Sequence, residues 1–262
     1  MPPSTNSASF TLKPVVPSDF PAMAEMCGLA FESDRHTMLK AAHPTKPYNH
    51  AAGMTSAFEY WASRPAGRLE LTKAVDDATG EILGFVCWGM SLDRAGPNKE
   101  QSNHEDAPAE GEDERGVEAS DEKPDFATPE TATQPQDATL DPLEQLEEFT
   151  SSHLAAFQDR FKDTRCMYVI TITVHPKHQG RGVGPALIKQ GTNRADAEGA
   201  LCWVHSSEAG VHTYRKCGFE EDDSLEIDLD GWARKLDIKP PAGDDRWGTY
   251  TFRYLVRQPK AT

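Results

Sequence analysis

The sequence predicts an α/β protein in which one mixed sheet of about seven strands is covered by helices. Three observations lead there. Short β-like runs and helical periodicities follow one another as strand, helix, helix, strand, strand, insertion, helix, strand, helix, strand, helix, strand, strand. Two of the strand runs show period-two patterning: Tyr168, Ile170, Ile172 and Val174 alternate with Val169, Thr171 and Thr173, and Tyr250, Phe252, Tyr254 and Val256 alternate with polar partners. One segment differs so strongly in composition that it drops out of the fold, leaving a single domain over residues 1–262.

The elements are justified in order. Residues 10–16 read as an opening strand. Ser18 then caps a helix to about Glu32, with Phe20, Met23, Cys27, Ala30 and Phe31 on its apolar face. Residues 48–64 form a second helix stopped by Pro65. Two antiparallel strands, 69–75 and 82–88, flank the turn Asp76-Asp-Ala-Thr-Gly80. Residues 143–161, rich in Leu, Glu and Gln, read as a helix leading into the strand at 165–174. The next helix carries Val183, Leu187, Gly191 and Ala195 on one face. A short buried strand, 201–205, precedes a helix over 206–219, capped by Ser206 or Ser207, with Glu208 at its positive end and Gly218 as its left-handed stop. The last strand is 249–257, expected to offer an edge through which a homodimer could pair.

Residues 98–141 are the insertion. Between Lys99 and Asp141 stand 14 acidic residues against three basic ones, with Phe126 the sole aromatic. Such a stretch buries too little apolar surface to offset the entropy of ordering it, so it reads as disordered and low in complexity. It holds most of the formal charge of −15, so the acidity is not evidence for a cationic partner of the folded part. No basic patch interleaved with aromatics points to nucleic acid. No apolar run reaches membrane-spanning length and no export signal opens the chain, which implies a cytoplasmic protein. Five cysteines at wide spacings, Cys27, Cys87, Cys166, Cys202 and Cys217, read as reduced thiols. The nine histidines show no zinc-ligand spacing, so no metal is expected.

The chemistry is concentrated in Val174-His-Pro-Lys-His-Gln-Gly-Arg-Gly-Val-Gly-Pro-Ala-Leu187, where a strand ends in a glycine-rich turn that opens a helix. Backbone N–H groups of such a turn can converge on phosphate oxygens at the positive end of a helix dipole. The dinucleotide fingerprint fails, because the glycines run G-x-G-x-G with no acidic residue at the expected distance. The triphosphate loop fails for want of Gly-Lys-Ser/Thr. What stands here is Gln179-x-x-Gly182-x-Gly184 with Arg181 inside it and Val174-x-Pro176 before it. It resembles the acetyl-CoA signature of the GNAT superfamily of N-acetyltransferases. Downstream, Tyr214-Arg-Lys-Cys-Gly-Phe219 is similar to that superfamily's Tyr-x-x-x-Gly-Phe ending, and the resemblance runs well from about Arg165 to Leu229.

The resemblance implies a mostly antiparallel, twisted sheet splayed at the acetyl-CoA site, and acetyl transfer from acetyl-CoA to a primary amine by direct attack on the thioester. It assigns the main chain of Ile172, Thr173 and Val174 to the pantetheine arm, with the Val174 N–H polarising the thioester carbonyl. It assigns Gln179, Gly180, Arg181, Gly182, Val183 and Gly184 to the pyrophosphate. Ser207 falls where many members carry an asparagine that contacts the coenzyme, and Pro185 fits the first helical turn, where its missing N–H has no partner. Tyr214 becomes the general acid. A phenol of pKa about 10 stays protonated at neutral pH and can donate to a thiolate whose conjugate acid lies near about 8.5. The strand of 165–174 holds no carboxylate to serve as base. His205 and Glu208 are the nearest candidates, and the base stays unassigned.

The acceptor would be a small-molecule amine, with Phe31, Glu32, Asp34, His36, Tyr48, Phe58, Tyr60 and Trp61 as its lining. A protein or peptide acceptor and a non-catalytic acetyl-CoA-binding module are the alternatives. Read as a solvated spacer, the insertion is dispensable: deletion of residues 98–140 is expected to leave turnover unchanged in a steady-state assay. A change in kinetics would give that segment a guarding or recruiting role.

Overall fold

The computed structural model describes residues 9–64, 67–91 and 140–260. Nearly all of the insertion expected at 98–141, and the expected stop at Pro65, lie outside the described residues. Seven strands form one sheet: β1 (Phe10–Pro14), β2 (Leu69–Asp76), β3 (Ile82–Ser91), β4 (Cys166–Val174), β5 (Leu201–Ser206), β6 (Glu220–Asp228) and β7 (Thr249–Arg257), in the order β1-β2-β3-β4-β5-β7-β6. Every neighbouring pair is antiparallel except β4 with β5. Seven α-helices are described: α1 (Phe20–Phe31), α2 (Arg35–Ala41), α3 (His50–Ala62), α4 (Pro142–Asp159), α5 (Val183–Ala197), α6 (Val211–Lys216) and α7 (Leu229–Leu236).

Local chemistry explains most boundaries. At the β2–β3 turn the Asp76 carboxylate accepts the N–H groups of Ala78 and Thr79, each at 3.0 Å, and Gly80 takes a positive φ of 75°. Asp34 caps α2 through the Thr37 N–H at 2.9 Å, and Asn49 caps α3 through Ala52 at 3.0 Å. Asp141, the last acidic residue of the insertion, begins α4 in a capping box with Glu144, followed by Pro142 in the first turn. Ser18 does not cap α1. It lies in a 3-10 turn, Pro17–Asp19, where the Asp19 carboxylate accepts the Val16 N–H at 2.8 Å and delays the α-helix to Phe20. Helices α2 and α7 add to the predicted elements, since seven or eight residues are too few to display a period in the sequence.

Three other expectations are corrected. The edge strands are β1 and β6, not 249–257: β7 is enclosed because β6 pairs along its length from Thr249 to Val256. The alternation of 168–174 is interrupted. The register with β3 shifts between Cys87, opposite Thr171, and Trp88, opposite Val169, so Ile170 is an extra, bulged residue. Tyr168 therefore stacks on Trp203 at 4.7 Å, while Ile172 and Val174 pack on the other side of the sheet with α5 and α6. Finally, β5 continues through Ser206, which pairs with Arg253 of β7, so neither Ser206 nor Ser207 caps the following helix. Gly210 precedes α6 without a side-chain cap.

The core lies on both faces of the sheet. Helices α5 and α6 cover one face through Trp88, Val183, Leu187, Val204 and Tyr214. On the opposite face α1 and α3 pack on Phe85 and Cys87, and α2, α4 and α7 pack near Trp203, Tyr250 and Tyr254. Helix α5 sits so close to β3 that a Cβ added at Gly191 would collide with the indole of the wholly buried Trp88. Gly191→Ala is expected to destabilise the protein by about 1–3 kcal/mol through overpacking, read as a lower urea midpoint. A change below about 0.5 kcal/mol would mean that the contact is slack.

Candidate active site

The parallel pairing of β4 with β5 runs from Cys166 opposite Leu201 to Val169 opposite Val204 and stops. Beyond that point β4 stays on β3 as far as Val174, while β5 stays on β7 as far as Ser206, so the two strands part. Ile170, Thr171 and Ile172 are half-buried where Cys166, Met167 and Val169 are buried. The His175 N–H donates to the Leu83 carbonyl at 2.9 Å. By the alternation of an antiparallel ladder, the N–H and C=O groups of Ile172 and Val174 then point away from β3 into the opening, whereas those of Thr173 face β3. The Val174 carbonyl accepts Gln179 Nε2 at 3.3 Å, and Thr173 Oγ1 lies 3.4 Å from Cys27 Sγ, a thiol that burial pushes up to about 12.

After β4 the chain makes a 3-10 turn, Pro176–His178, extends at Gln179 and enters the glycine loop. Gly180 and Gly182 have φ of 74° and 83°, where a side chain costs roughly 1–2 kcal/mol, although a Cβ at either would meet nothing within 4 Å. Conformation, not crowding, requires glycine at these two positions. Gly184 differs: its φ is ordinary and a Cβ would lie 3.6 Å from Thr213 and 3.7 Å from Val174, in normal contact. The N–H groups of Gly180, Arg181, Gly182, Val183 and Gly184 donate to no protein acceptor among the described residues, and Gly182 begins α5 without a side-chain cap. Five donors in succession at a helix N-terminus form an anion cradle. Arg181 stands on its rim and donates to His178 Nδ1 at 2.7 Å. That contact makes Nδ1 the acceptor and leaves the Nε2 proton for Glu81, 3.2 Å away.

Across the opening, the Ser206 hydroxyl donates to the Ser207 carbonyl at 2.8 Å, and Glu208 accepts the Thr251 N–H at 2.9 Å. Glu208 thus ties this loop to β7 and does not stand at the start of α6. Tyr214 lies on the same face as Ile172, Val174 and Val183, 3% exposed, with its ring edge-on to Phe219 at 5.5 Å. Burial raises its phenol well above the ordinary value, and its hydroxyl makes no hydrogen bond among the described residues.

The opposite face holds a hollow of about 460 Å³ between the end of α1, α2 and the start of α3, lined by Phe31, Glu32, Tyr48 and His50 among others. Of the other expected lining residues, Phe58 and Trp61 are core, with Phe58 edge-on to Phe85 at 5.3 Å. Tyr60 lies on the surface beneath Arg64. Asp34 accepts the Tyr250 hydroxyl at 2.7 Å, and His36 packs against Tyr250 and Phe252 with centroids 5.6 and 5.1 Å away. His205 lies 4.2 Å from Phe252 and stacks on Tyr254 at 4.8 Å. Nε2 of both His36 and His205 is sealed from water without a hydrogen-bond partner among the described residues. Among the described residues no group of three or more His, Cys, Asp or Glu could hold a metal ion, and no helix is long and apolar enough to cross a membrane.

Residues 143–219, which contain the parting strands, the glycine loop and Tyr214, match the acetyltransferase (GNAT) family. The chain carries a GNAT acetyltransferase domain. It is therefore an acyltransferase. A search of the curated proteins finds no match. Among solved structures, a mosquito (Aedes aegypti) protein provisionally named arylalkylamine N-acetyltransferase 7 shares the fold at 13% identity, with a TM-score of 0.54 over 95% of this chain and 87% of its own. The histone acetyltransferase HPA2 and related acetyltransferase of Corynebacterium glutamicum aligns at 17% identity over 97% of this chain and 98% of its own, with a TM-score of 0.48. The polyamine N-acetyltransferase of Drosophila melanogaster aligns at 15% identity over 95% of this chain and 100% of its own, with a TM-score of 0.49.

In this GNAT domain the histidine cluster has no sequence signal, because His36, His153 and His205 come from α2, α4 and β5 and are brought together by the rings of β7. Burial, then His36 and His153, lowers His205 to about 3. Burial and Lys40 lower His36 and His50 to about 4. The ordinary value of 6.5 belongs to the unfolded chain, which therefore binds more protons than the folded one between about 4 and 6.5. The contribution of these groups to stability is fully present above about 6.5 and is lost as the pH falls towards the folded values. Urea midpoints should decline from pH 7 to pH 5, and NMR titration should find His205 neutral at pH 5. A His205 midpoint near 6.5 would contradict its burial.

Proposed function

We propose that this domain transfers the acetyl group of acetyl-CoA to the primary amine of a small molecule. The observation that carries the reading is the row of five N–H groups from Gly180 to Gly184 that donate to no acceptor among the described residues, set at the start of α5 just past the open arm of β4. Pyrophosphate oxygens would accept from that row, with Arg181 and Gln179 beside them. The groups of Ile172 and Val174 that face the opening would pair with the amides of the pantetheine arm as an added strand does. The Val174 N–H would polarise the thioester carbonyl as charge develops on its oxygen. Ser207, at the end of the other arm, can offer its hydroxyl to the coenzyme.

The neutral amine attacks the thioester carbon, the carbon–sulfur bond breaks, and the nitrogen gives up one proton to water as the amide forms, which balances the proton the thiolate takes up. Tyr214, kept protonated by burial, gives its proton to the departing thiolate. A hollow of about 460 Å³ suits a small molecule, and Phe31, Tyr48 and His50 suit one with an aromatic or apolar body. Glu32 can pair with the incoming ammonium, which loses a proton to water before its nitrogen attacks.

Isothermal titration with acetyl-CoA is expected to show micromolar binding that is lost in Gly182→Asp and Gly184→Asp. Absence of binding by the wild type would overturn the reading. In a thiol-release assay, Tyr214→Phe should lower kcat by about 10²–10⁴-fold at unchanged acetyl-CoA affinity. Unaltered kcat would leave Tyr214 a packing residue.

A further inference from the structure

Resting on that acetyl-transfer reading, we infer that Glu81 and His178 are positioning residues that hold Arg181 at the anion cradle for the pyrophosphate of the coenzyme. Arg181 needs such a hold. It stands between Gly180 and Gly182, both at positive φ, in an exposed loop, and a long side chain there loses rotamer freedom when it binds. Its only hydrogen-bond partner among the described residues is His178 Nδ1, 2.7 Å from Arg181 Nη1. The imidazole is the fixed member of this pair: its side chain is 12% exposed, its ring lies 5.4 Å from that of His175, and its backbone N–H donates to the His175 carbonyl at 2.8 Å. Beyond it, Glu81 stands at the end of the β2–β3 turn, its own carbonyl accepting the Asp76 N–H at 2.9 Å.

The chemistry of the three groups sets their roles. A guanidinium can only donate, so Nδ1 of His178 accepts, the ring proton sits on Nε2, and Glu81 Oε1 accepts it at 3.2 Å. The carboxylate thereby makes Nδ1 a better acceptor and fixes the orientation of the ring, as an outer carboxylate does for a metal-ligating histidine. The imidazole also keeps the two charges apart. Paired directly with Glu81, the guanidinium could commit its fork to a bidentate bridge and have its charge cancelled. Bound to one ring nitrogen it commits a single N–H, and the rest of the fork stays free for phosphate oxygens. The neighbouring groups offer no substitute for His178. The Asp76 carboxylate accepts the N–H groups of Ala78 and Thr79, His175 Nδ1 accepts the Lys177 N–H at 3.1 Å, and Gln179 Nε2 donates to the Val174 carbonyl.

Isothermal titration of the full chain with acetyl-CoA, at one ionic strength, tests this in a double-mutant cycle of His178→Ala and Arg181→Gln. His178→Ala should weaken binding by at least about threefold, Arg181→Gln by at least as much, and the two together no more than Arg181→Gln alone, because the histidine acts through the arginine. A smaller loss in either single variant overturns the inference. So does a further loss above about twofold when His178→Ala is added to Arg181→Gln, since a histidine that merely supports the loop would weaken binding in both backgrounds. Should His178→Ala fail to fold, Glu81→Ala, which lies outside the glycine loop, takes its place in the same cycle with the same two limits. A wild type that does not bind acetyl-CoA strikes the acetyl-transfer reading itself, and this inference falls with it.

Discussion

The parting of β4 from β5 after four paired residues is the constraint on which the rest of the molecule depends. A parallel ladder normally continues, because a backbone polar group left unpaired away from water costs about 1–3 kcal/mol. Here each arm is held on its outer edge, β4 by β3 as far as Val174 and β5 by β7 as far as Ser206. The bulge at Ile170 falls at the divergence and exchanges the faces of the residues that follow. Ile172 and Val174 thereby turn towards α5 and α6, and Thr173 turns towards Cys27 of α1. Without that exchange, neither face of the open arm would meet its present helices.

The two faces then take up different chemistry. On one, the first turn of α5 and the loop before it gather N–H groups with no acceptor among the described residues, Arg181 and a buried phenol, an environment suited to anions and to proton donation. On the other, aromatic rings of β7 surround imidazoles that burial keeps neutral.

Much of this was legible in the sequence, for physical reasons that apply at particular residues. Gly180 and Gly182 are demanded by local backbone conformation, which any reading of the loop reaches without knowing the fold. The same holds for Gly218 after α6 and Gly80 in the hairpin, both at positive φ. What escaped depends on distant partners. The bulge at Ile170 is set by the spacing of Cys87 and Trp88 on β3, some eighty residues earlier in the chain. Ser206 looks like a helix cap until Arg253 of β7 claims it for the sheet. The strand 249–257 looks like an edge until β6 covers it. His153 carried no signal on the surface-like pattern of α4, and its neighbours in space come from β6 and β7.

Amide hydrogen exchange followed by NMR, with and without acetyl-CoA, tests the central claim most directly. The N–H groups of Ile172, Val174 and Gly180 to Gly184 should exchange more slowly with the ligand present, while those of Thr173 and Val169, already facing paired strands, change little. Equal protection of all of them in both states would mean that the open arm and its glycine loop do not receive the coenzyme.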